Sequence, residues 1–482
     1  MNTSFFTVSL FLITIFLTTF ISHTPVVLGQ CVDFPDLFDR KSAKLTPCRI
    51  VKETKQKTKQ TKPLKLLSNL GGIGKGKSLL SQNNHSSKNK NDTPSGDNPP
   101  PPPSQNMIQL NFTCDLNDTN GTCAKAQKGF EDAINIISSM IELVTPIIVD
   151  ASFVNLHGPI GNAGPSRFIP LQDKDNVVRL YPQALAKQFQ FDTHPEFAPN
   201  DIIAAFTSAS NNIFWFRDDP SPPTNTQVDF VLVVVHELIH GLGLLSSWTD
   251  YFTPYIQNAI TPFPSFIMSI EGPEVPPKNG TITFTGFQET AFDRYLVFTN
   301  DGTPVSTVTS KINEFAGGVN SGATFDNKTA FLKAFNSSPQ FEFATNIFKQ
   351  ASTASSMGFL PQDTKNAKDS ILCETSLVPF LSGSSITHTD FTTFANSTDF
   401  LMVWKAPRGV TLDQLTNANS TNRSNVIGPK TIKILETLGY KTANNPNPYK
   451  PNAPSSNQNE PSSNQNEPSS NQNEQGENNN NQ

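Results

Sequence analysis

The chain has 482 residues and a formal net charge of −5. So small a balance does not mark a polyanion-binding protein, and the charge is unevenly placed: Lys and Arg outnumber Asp and Glu between residues 31 and 90, and the remainder is acidic. Beyond the N-terminal segment no apolar run is long enough to span a bilayer, Val231 to Val235 being too short, which excludes a body built of membrane-spanning helices.

In chain order, Phe5 to Phe20 is apolar with scattered Ser and Thr, and Val27-Leu28-Gly29 offers a cleavage site before Gln30. Residues 1–29 therefore read as a signal peptide and the mature chain as secreted and extracellular, with a signal anchor as the competing reading. Asn-x-Ser/Thr sequons, among them Asn84, Asn111, Asn117, Asn120, Asn327, Asn336 and Asn396, fit a glycoprotein. Five cysteines leave one over: Cys114 pairs with Cys123 and Cys31 with Cys48, so Cys373 is single. Residues 30–106 are basic and end in Pro99 to Pro103, the composition of a linker or pro-segment. The basic run lacks interleaved aromatic residues, and no nucleic-acid partner is expected. Gly71 to Ser78 satisfies the phosphate-loop pattern GxxxxGK[ST], but no strong strand precedes it and no helix follows, so it is read as a chance match.

A globular domain begins near Met107. Ile108 to Phe112 alternates as a strand, and Ala124 to Leu143 has helical spacing with Phe130, Ala133, Ile134, Ile137 and Ile141 on one side. Ile147 to Val154 reads as a strand, Pro182 to Phe191 as a helix, Asp201 to Phe206 as a strand and Asn212 to Phe216 as an edge strand beside a cleft. The order describes an α+β domain.

Next comes Asp229 to Val235, apolar after its first residue, and then His236-Glu237-Leu238-Ile239-His240. On a helix, positions i and i+4 share a face, so His236 and His240 can hold one Zn²⁺ and Glu237 is placed as a general base. Gly243 lets the helix end. Catalytic zinc takes three protein ligands and a water. The compact spacing would put the third ligand at Ser246, a poor donor for zinc. Of seven histidines, His23 lies in the signal segment, His85 in the linker, and His157 and His194 read as loop residues ahead of the motif. His388 is the strongest third ligand; Glu289, in a stretch with helical character from Phe287 to Tyr295, competes with it. After His388 comes Asp399-Phe400-Leu401-Met402.

In this order His236, Glu237, His240, Gly243, His388 and Met402 resemble the metzincin metalloproteases, specifically the leishmanolysin-like branch. The resemblance covers about residues 107–441. It implies a metzincin-like zincin catalytic domain: a twisted mixed sheet, an active-site helix, a long insertion over 249–380, a methionine turn with Met402 beneath the metal, and a C-terminal helix. It implies a secreted zinc endopeptidase in which His236, His240 and His388 bind Zn²⁺, Glu237 is the general base, and the substrate is a protein or peptide. A binding protein that keeps the fold without turnover, and a zinc hydrolase of a non-peptide substrate, are the alternatives. Cys31 or Cys48 could cap the metal in a latent form, against the plainer disulfide. Asp390 reads as a loop cap, with orientation of a ligand as the competing role.

The insertion is rich in Phe, Thr, Pro and Gly, with a short strand at Thr281 to Thr285 and a helix at Glu289 to Phe298. Ile427 to Tyr440 reads as a closing helix with Gly439 at its end. From residue 442 to 482 the chain is low in complexity, with Pro-Ser-Ser-Asn-Gln-Asn-Glu repeated, and reads as a disordered tail.

Overall fold

A computed structural model of the protein describes residues 30–34, 43–52, 107–118, 120–156, 159–209, 213–268, 280–319, 321–419 and 426–454. The signal reading of 1–29, the phosphate-loop match at 71–78, the proline run at 99–103, His23, His85, His157 and the repeats beyond residue 454 lie outside them.

The described residues open with three short strands, β1 (Gln30–Asp33), β2 (Lys44–Pro47) and β3 (Ile50–Lys52). The half that carries the His236–His240 motif follows: β4 (Ile108–Cys114), α1 (Thr122–Ser138), β5 (Ile147–Val154), β6 (Gly161–Pro165), β7 (Arg167–Gln172), β8 (Val178–Pro182), α2 (Gln183–Ala186), β9 (Thr193–Pro195), β10 (Ile202–Thr207), β11 (Phe214–Trp215), β12 (Val228–Asp229) and α3 (Phe230–Leu242). The main sheet has the order β4-β5-β10-β6; β4, β5 and β10 are parallel and β6 runs antiparallel along the edge. Residues Ile147, Val149, Ala151 and Phe153 of β5 are buried in alternation, as a pleated strand with one covered face requires. On that face α1 and α3 meet the sheet through a cluster of rings. Phe130 of α1 lies 5.2 Å from Phe206 of β10 and 5.7 Å from Phe230 of α3, both edge-on, the arrangement that ring quadrupoles favour.

A second sheet, β2-β1-β7-β8, contains the N-terminal strands, and β3 pairs with β9. The linker reading of residues 30–106 is therefore corrected for 30–34 and 43–52. Cys31 and Cys48 form a disulfide with Cα atoms 5.3 Å apart, and Arg167 holds Asp33 through Nε and Nη2. Strands this short carry almost no periodic signal of their own, and the strands that join them to the body, β7 and β9, lie more than a hundred residues away. Cys114 and Cys123 also pair, and Cys373 is buried and unbridged.

Beyond α3 the insertion is built from β13 (Phe263–Met268), β14 (Ile282–Gln288), β15 (Leu296–Phe298), α4 (Ser306–Ile312), β16 (Thr324–Phe325), α5 (Lys328–Asn336), α6 (Phe341–Gln350), β17 (Met357–Phe359) and β18 (Ile371–Leu372). It forms two three-stranded sheets, β13-β14-β16 and β15-β17-β18. The phenylalanines have a clear use here: Phe284 and Phe331 lie 5.3 Å apart, with Phe266, Phe315 and Phe335 around them. The helix expected at Glu289 to Phe298 is instead a β-bridge at Thr290, a single 3-10 turn at Asp293–Tyr295 and the strand β15. Likewise Pro182 to Phe191 holds only α2 and one 3-10 turn, and of the strand expected at Asn212 to Phe216 the described part, from Ile213 on, contains β11 alone.

The chain closes with α7 (Phe391–Phe394), a 3-10 turn at Phe400–Met402, α8 (Leu412–Asn419) and α9 (Pro429–Leu438), with Gly439 at φ 127° ending α9. The tail reading from residue 442 is corrected for 442–454. Tyr449 donates to Asp173 at 2.6 Å and stacks under the guanidinium of Arg294 at 4.3 Å, so this stretch lies on the body. No helix among the described residues is long and apolar enough to cross a membrane.

Candidate metal centre

Helix α3 sets the first two residues of the site. Asp229 caps it, its side chain accepting from Leu232 N at 3.2 Å, and Asp229 Oδ2 also accepts from Leu412 N at 2.9 Å. Gly243 ends it at φ 120°, where a Cβ would lie 2.8 Å from Pro182 Cγ. Between these stops His236 and His240 share one face, one turn apart.

The third histidine arrives from far along the chain. His388 follows the turn at 382–387 and is held by main-chain bonds on both sides: its carbonyl accepts from Glu374 N at 2.8 Å, and Thr389 N donates to Met402 O at 2.9 Å. The three Nε2 atoms then converge. His236–His388 is 3.1 Å, His240–His236 3.2 Å and His240–His388 3.2 Å.

The other ring nitrogens decide what that convergence means. Nδ1 of His236 lies 2.7 Å from Leu401 O, Nδ1 of His240 2.7 Å from Leu244 O, and Nδ1 of His388 3.0 Å from Ser384 O. A carbonyl only accepts, so each Nδ1 carries the proton, and a ring that is neutral then turns its Nε2 lone pair inward. Three lone pairs at this spacing repel one another unless a cation lies among them. A tetrahedral ion bonded at about 2.0–2.1 Å holds three nitrogens about 3.3–3.4 Å apart, close to the triangle seen. The three side chains could thus hold one metal ion. Burial holds His236 down to about 4, against the pull of its bond to Leu401, so its ring is neutral near pH 7.

Glu237 stands beside this triangle. Its Oε2 accepts from the backbone N–H of Ala163 in β6 at 3.0 Å. Burial pushes its carboxyl up to about 8, opposed by that N–H; a cation at the three nitrogens would pull it back down. By surface exposure Glu237 and His236 are only half-buried, open to the cleft, whereas His240 and His388 are buried.

Met402 is fully buried in the 3-10 turn whose Leu401 carbonyl orients His236 and whose Met402 carbonyl holds the segment of His388. Glu289 lies elsewhere. It pairs with Arg179 Nε at 2.9 Å and accepts from Ser306 and Thr309, so the structure does not place it as a ligand. Asp390 caps α7 through Thr393 N at 2.8 Å. His194 stacks on Phe197 at 4.3 Å in β9, away from the triangle. Ser246, where the compact spacing would seek a ligand, donates to Asp293. Cys31 and Cys48 are bonded to each other and offer no thiol to a metal.

The sequence reading did not identify β6. Gly161-Asn162-Ala163-Gly164-Pro165 has no apolar alternation, yet it is the sheet edge facing the site. Nor did it find the three orienting carbonyls, which leave no side-chain signature. The cleft over the histidines runs between β6 and the segment from Phe400 to Pro407, with Ser382 to Ser384 along its rim, and measures about 1910 Å³ including its open mouth.

A family described as SPBPB7E8-like matches residues 71–476 of the chain. The uncharacterized protein PB7E8.01 of Schizosaccharomyces pombe is 28 % identical over 378 residues, covering 70 % of this chain and 63 % of its own length. The chain thus spans less than two thirds of that relative. No solved structure matches it.

Proposed function

The chain belongs to the SPBPB7E8-like family, and we propose that it is a secreted zinc-dependent endopeptidase with a metzincin-like, leishmanolysin-type catalytic domain. One observation carries the reading: three Nε2 atoms converge at 3.1–3.2 Å with every Nδ1 set against a carbonyl, and Glu237 lines the same cleft. An all-imidazole set suits zinc, and the protonated Nδ1 bonds fix the tautomer that zinc requires. When bound, zinc brings the pKa of water toward neutrality and polarises a carbonyl oxygen.

The chain's own residues supply the rest. Glu237 takes the proton from the attacking water and returns it to the leaving amine. The free edge of β6 offers backbone donors and acceptors to a peptide laid beside it as a further strand, with Ala163 N–H already turned away from β10 toward Glu237. Met402 packs the turn that orients His236 and the His388 segment.

The test compares secreted wild-type protein with Glu237→Gln and His388→Ala, measuring metal by mass spectrometry and cleavage of a denatured protein substrate. We expect one zinc per chain in the wild type, zinc without activity in Glu237→Gln (a loss of at least about 10²–10⁴-fold), and loss of zinc in His388→Ala. Zinc retained by His388→Ala would remove His388 from the ligand set. Wild-type protein free of zinc would end the enzyme reading.

A further inference from the structure

A polar pocket lies beyond the carboxyl ends of the parallel strands β4, β5 and β10, at the end of the core where α3 begins. Leu116 bounds it after β4, Phe153 at the end of β5, Thr207 and Ser208 where β10 ends, and Gln227 ahead of α3. Open parallel sheets take their ligands outside the carboxyl ends of their strands. With open solvent left out the pocket encloses about 510 Å³, within the roughly 300–1,000 Å³ that holds a small ligand. Among its described lining residues, Lys125 and Asp219 are joined at 2.7 Å, and Asp118 is left as one net negative charge. That balance repels anions and suits a neutral, hydroxylated occupant.

The same wall contains an acceptor for such an occupant. Asn120 and Thr122 of the sequon Asn120-Gly121-Thr122 both line the pocket, and Asn120 is exposed. Gly121 between them turns the chain into α1 at φ 70°. The Cys114–Cys123 disulfide closes this loop across nine residues, so Asn120 is held against the pocket and cannot swing far from it.

We infer that Asn120 carries an N-linked glycan and that the first sugars of this glycan are seated in the pocket. The inference rests on the secretion part of the reading above and on neither zinc nor peptide cleavage. In the transfer, a bond forms between Asn120 Nδ2 and the anomeric carbon of a lipid-pyrophosphate-linked oligosaccharide. The bond from that carbon to the pyrophosphate oxygen breaks, the lipid pyrophosphate leaves with the electron pair, and Nδ2 gives up one proton. Donor and transferase are those of the secretory pathway. The hydroxyls and acetamide of the attached sugars match the amide of Asn117 and the hydroxyls of Thr122 and Ser208 on the wall. Beneath the pocket Phe153, Phe214 and Phe216 pack on Phe230, the first residue of α3, at 5.9, 5.0 and 5.0 Å. The glycan thus roofs the rings on which α3 starts. His236 lies six residues further on, roughly 9 Å along the helix, so the metal centre does not depend on this roof.

The test uses the full chain secreted from a host cell that N-glycosylates, with its glycopeptides mapped by mass spectrometry. Peptide N-glycosidase is then applied to native and to denatured protein; it leaves aspartate wherever it releases a glycan, which marks the site. We expect Asn120 to be occupied, and its glycan to leave the native protein at least about tenfold more slowly than the denatured one, because release waits for the sugars to leave the pocket. Ser208→Trp, or Gln227→Trp from a second lining position, fills the pocket and should raise native release to the denatured rate; either serves if the other does not fold. Asn120→Gln should lower the melting temperature by several degrees and leave the metal content unchanged. A secreted chain that is bare at Asn120 overturns the modification. Equal release from native and denatured protein, or slow release that persists in the tryptophan variants, overturns the seat. Both results leave the zinc and endopeptidase reading intact. A chain retained in the cell without glycan overturns the secretion reading and the inference together.

Discussion

Asp293 shows how much of the candidate metal centre is decided by a residue outside the histidine triangle. Fully buried, it accepts from Ser246 Oγ at 2.6 Å, Ser247 N at 2.9 Å, Ser247 Oγ at 2.6 Å and Thr290 N at 2.8 Å. These bonds fix the loop after α3. That loop supplies Leu244 O to the Nδ1 of His240, and Ser246 N reaches Thr387 Oγ1, next to His388, at 3.4 Å. Asp293→Ala strands several buried donors at once and should cost about 3–5 kcal/mol of stability in urea unfolding. Asp293→Asn keeps the shape and half of the accepting capacity. In that milder variant zinc affinity, read by competition with a chromophoric chelator, should fall by about 10–100-fold as the orientation of His240 loosens. Unchanged affinity in a folded Asp293→Asn protein would confine this residue to holding the loop.

Among elements, α3 is the one on which the rest is aligned. Gly241 sits where a Cβ would lie 2.6 Å from Ile202 Cγ2, so the helix presses directly on β10. Gly243 turns the chain at φ 120° against Pro182. Gly243→Ala combines a strained backbone with a clash, and should cost about 1–3 kcal/mol in chemical denaturation while leaving the histidine face of the helix in register. A neutral result would mean that α3 can end without the left-handed turn. This helix was legible in the sequence because its signals are local: a capping Asp229, an apolar run, i and i+4 histidines, and a glycine stop. The pairing of His388 with Met402 was legible as an order of residues. β6 was not legible, since its role comes from pairing with β10 and not from Gly161-Asn162-Ala163-Gly164-Pro165 itself. β1 escaped for the same reason, because its partner β7 lies more than 130 residues away. The insertion was legible only as a composition rich in Phe, because ring clusters such as Phe266, Phe284 and Phe331 have no period that assigns strands. Glu289 was set beside His388 as a ligand because a helix was expected around it; the strand and bridge that replace that helix leave it facing Arg179.

At the scale of the whole molecule, the metal centre joins parts of the chain that are otherwise remote. His236 and His240 come from the motif helix, Asp293 from the insertion, and His388 and Met402 from the closing segment. A ligand that binds only this assembled arrangement stabilises it by mass action, by about 4 kcal/mol when free metal exceeds its Kd a thousandfold. Chelation should therefore lower the melting temperature of the native chain by several degrees in calorimetry, and should leave His388→Ala unmoved. Equal shifts in both proteins would place the stabilising ion elsewhere.

The N-terminal strands carry one more consequence. Both cysteines of the Cys31–Cys48 bond belong to the same short segment, so the bond closes a ring within it and makes no covalent tie to the body. The covalent route between the two runs through residues 53–106. If a protease severs that route, the native molecule becomes two polypeptides. They are held by the β1–β7 and β3–β9 ladders, the Asp33–Arg167 ion pair and the wedge of Phe34. Denaturant alone, with no reductant, would then part them, and the small fragment would leave with Phe34, uncovering Phe168 and Phe263 on the body.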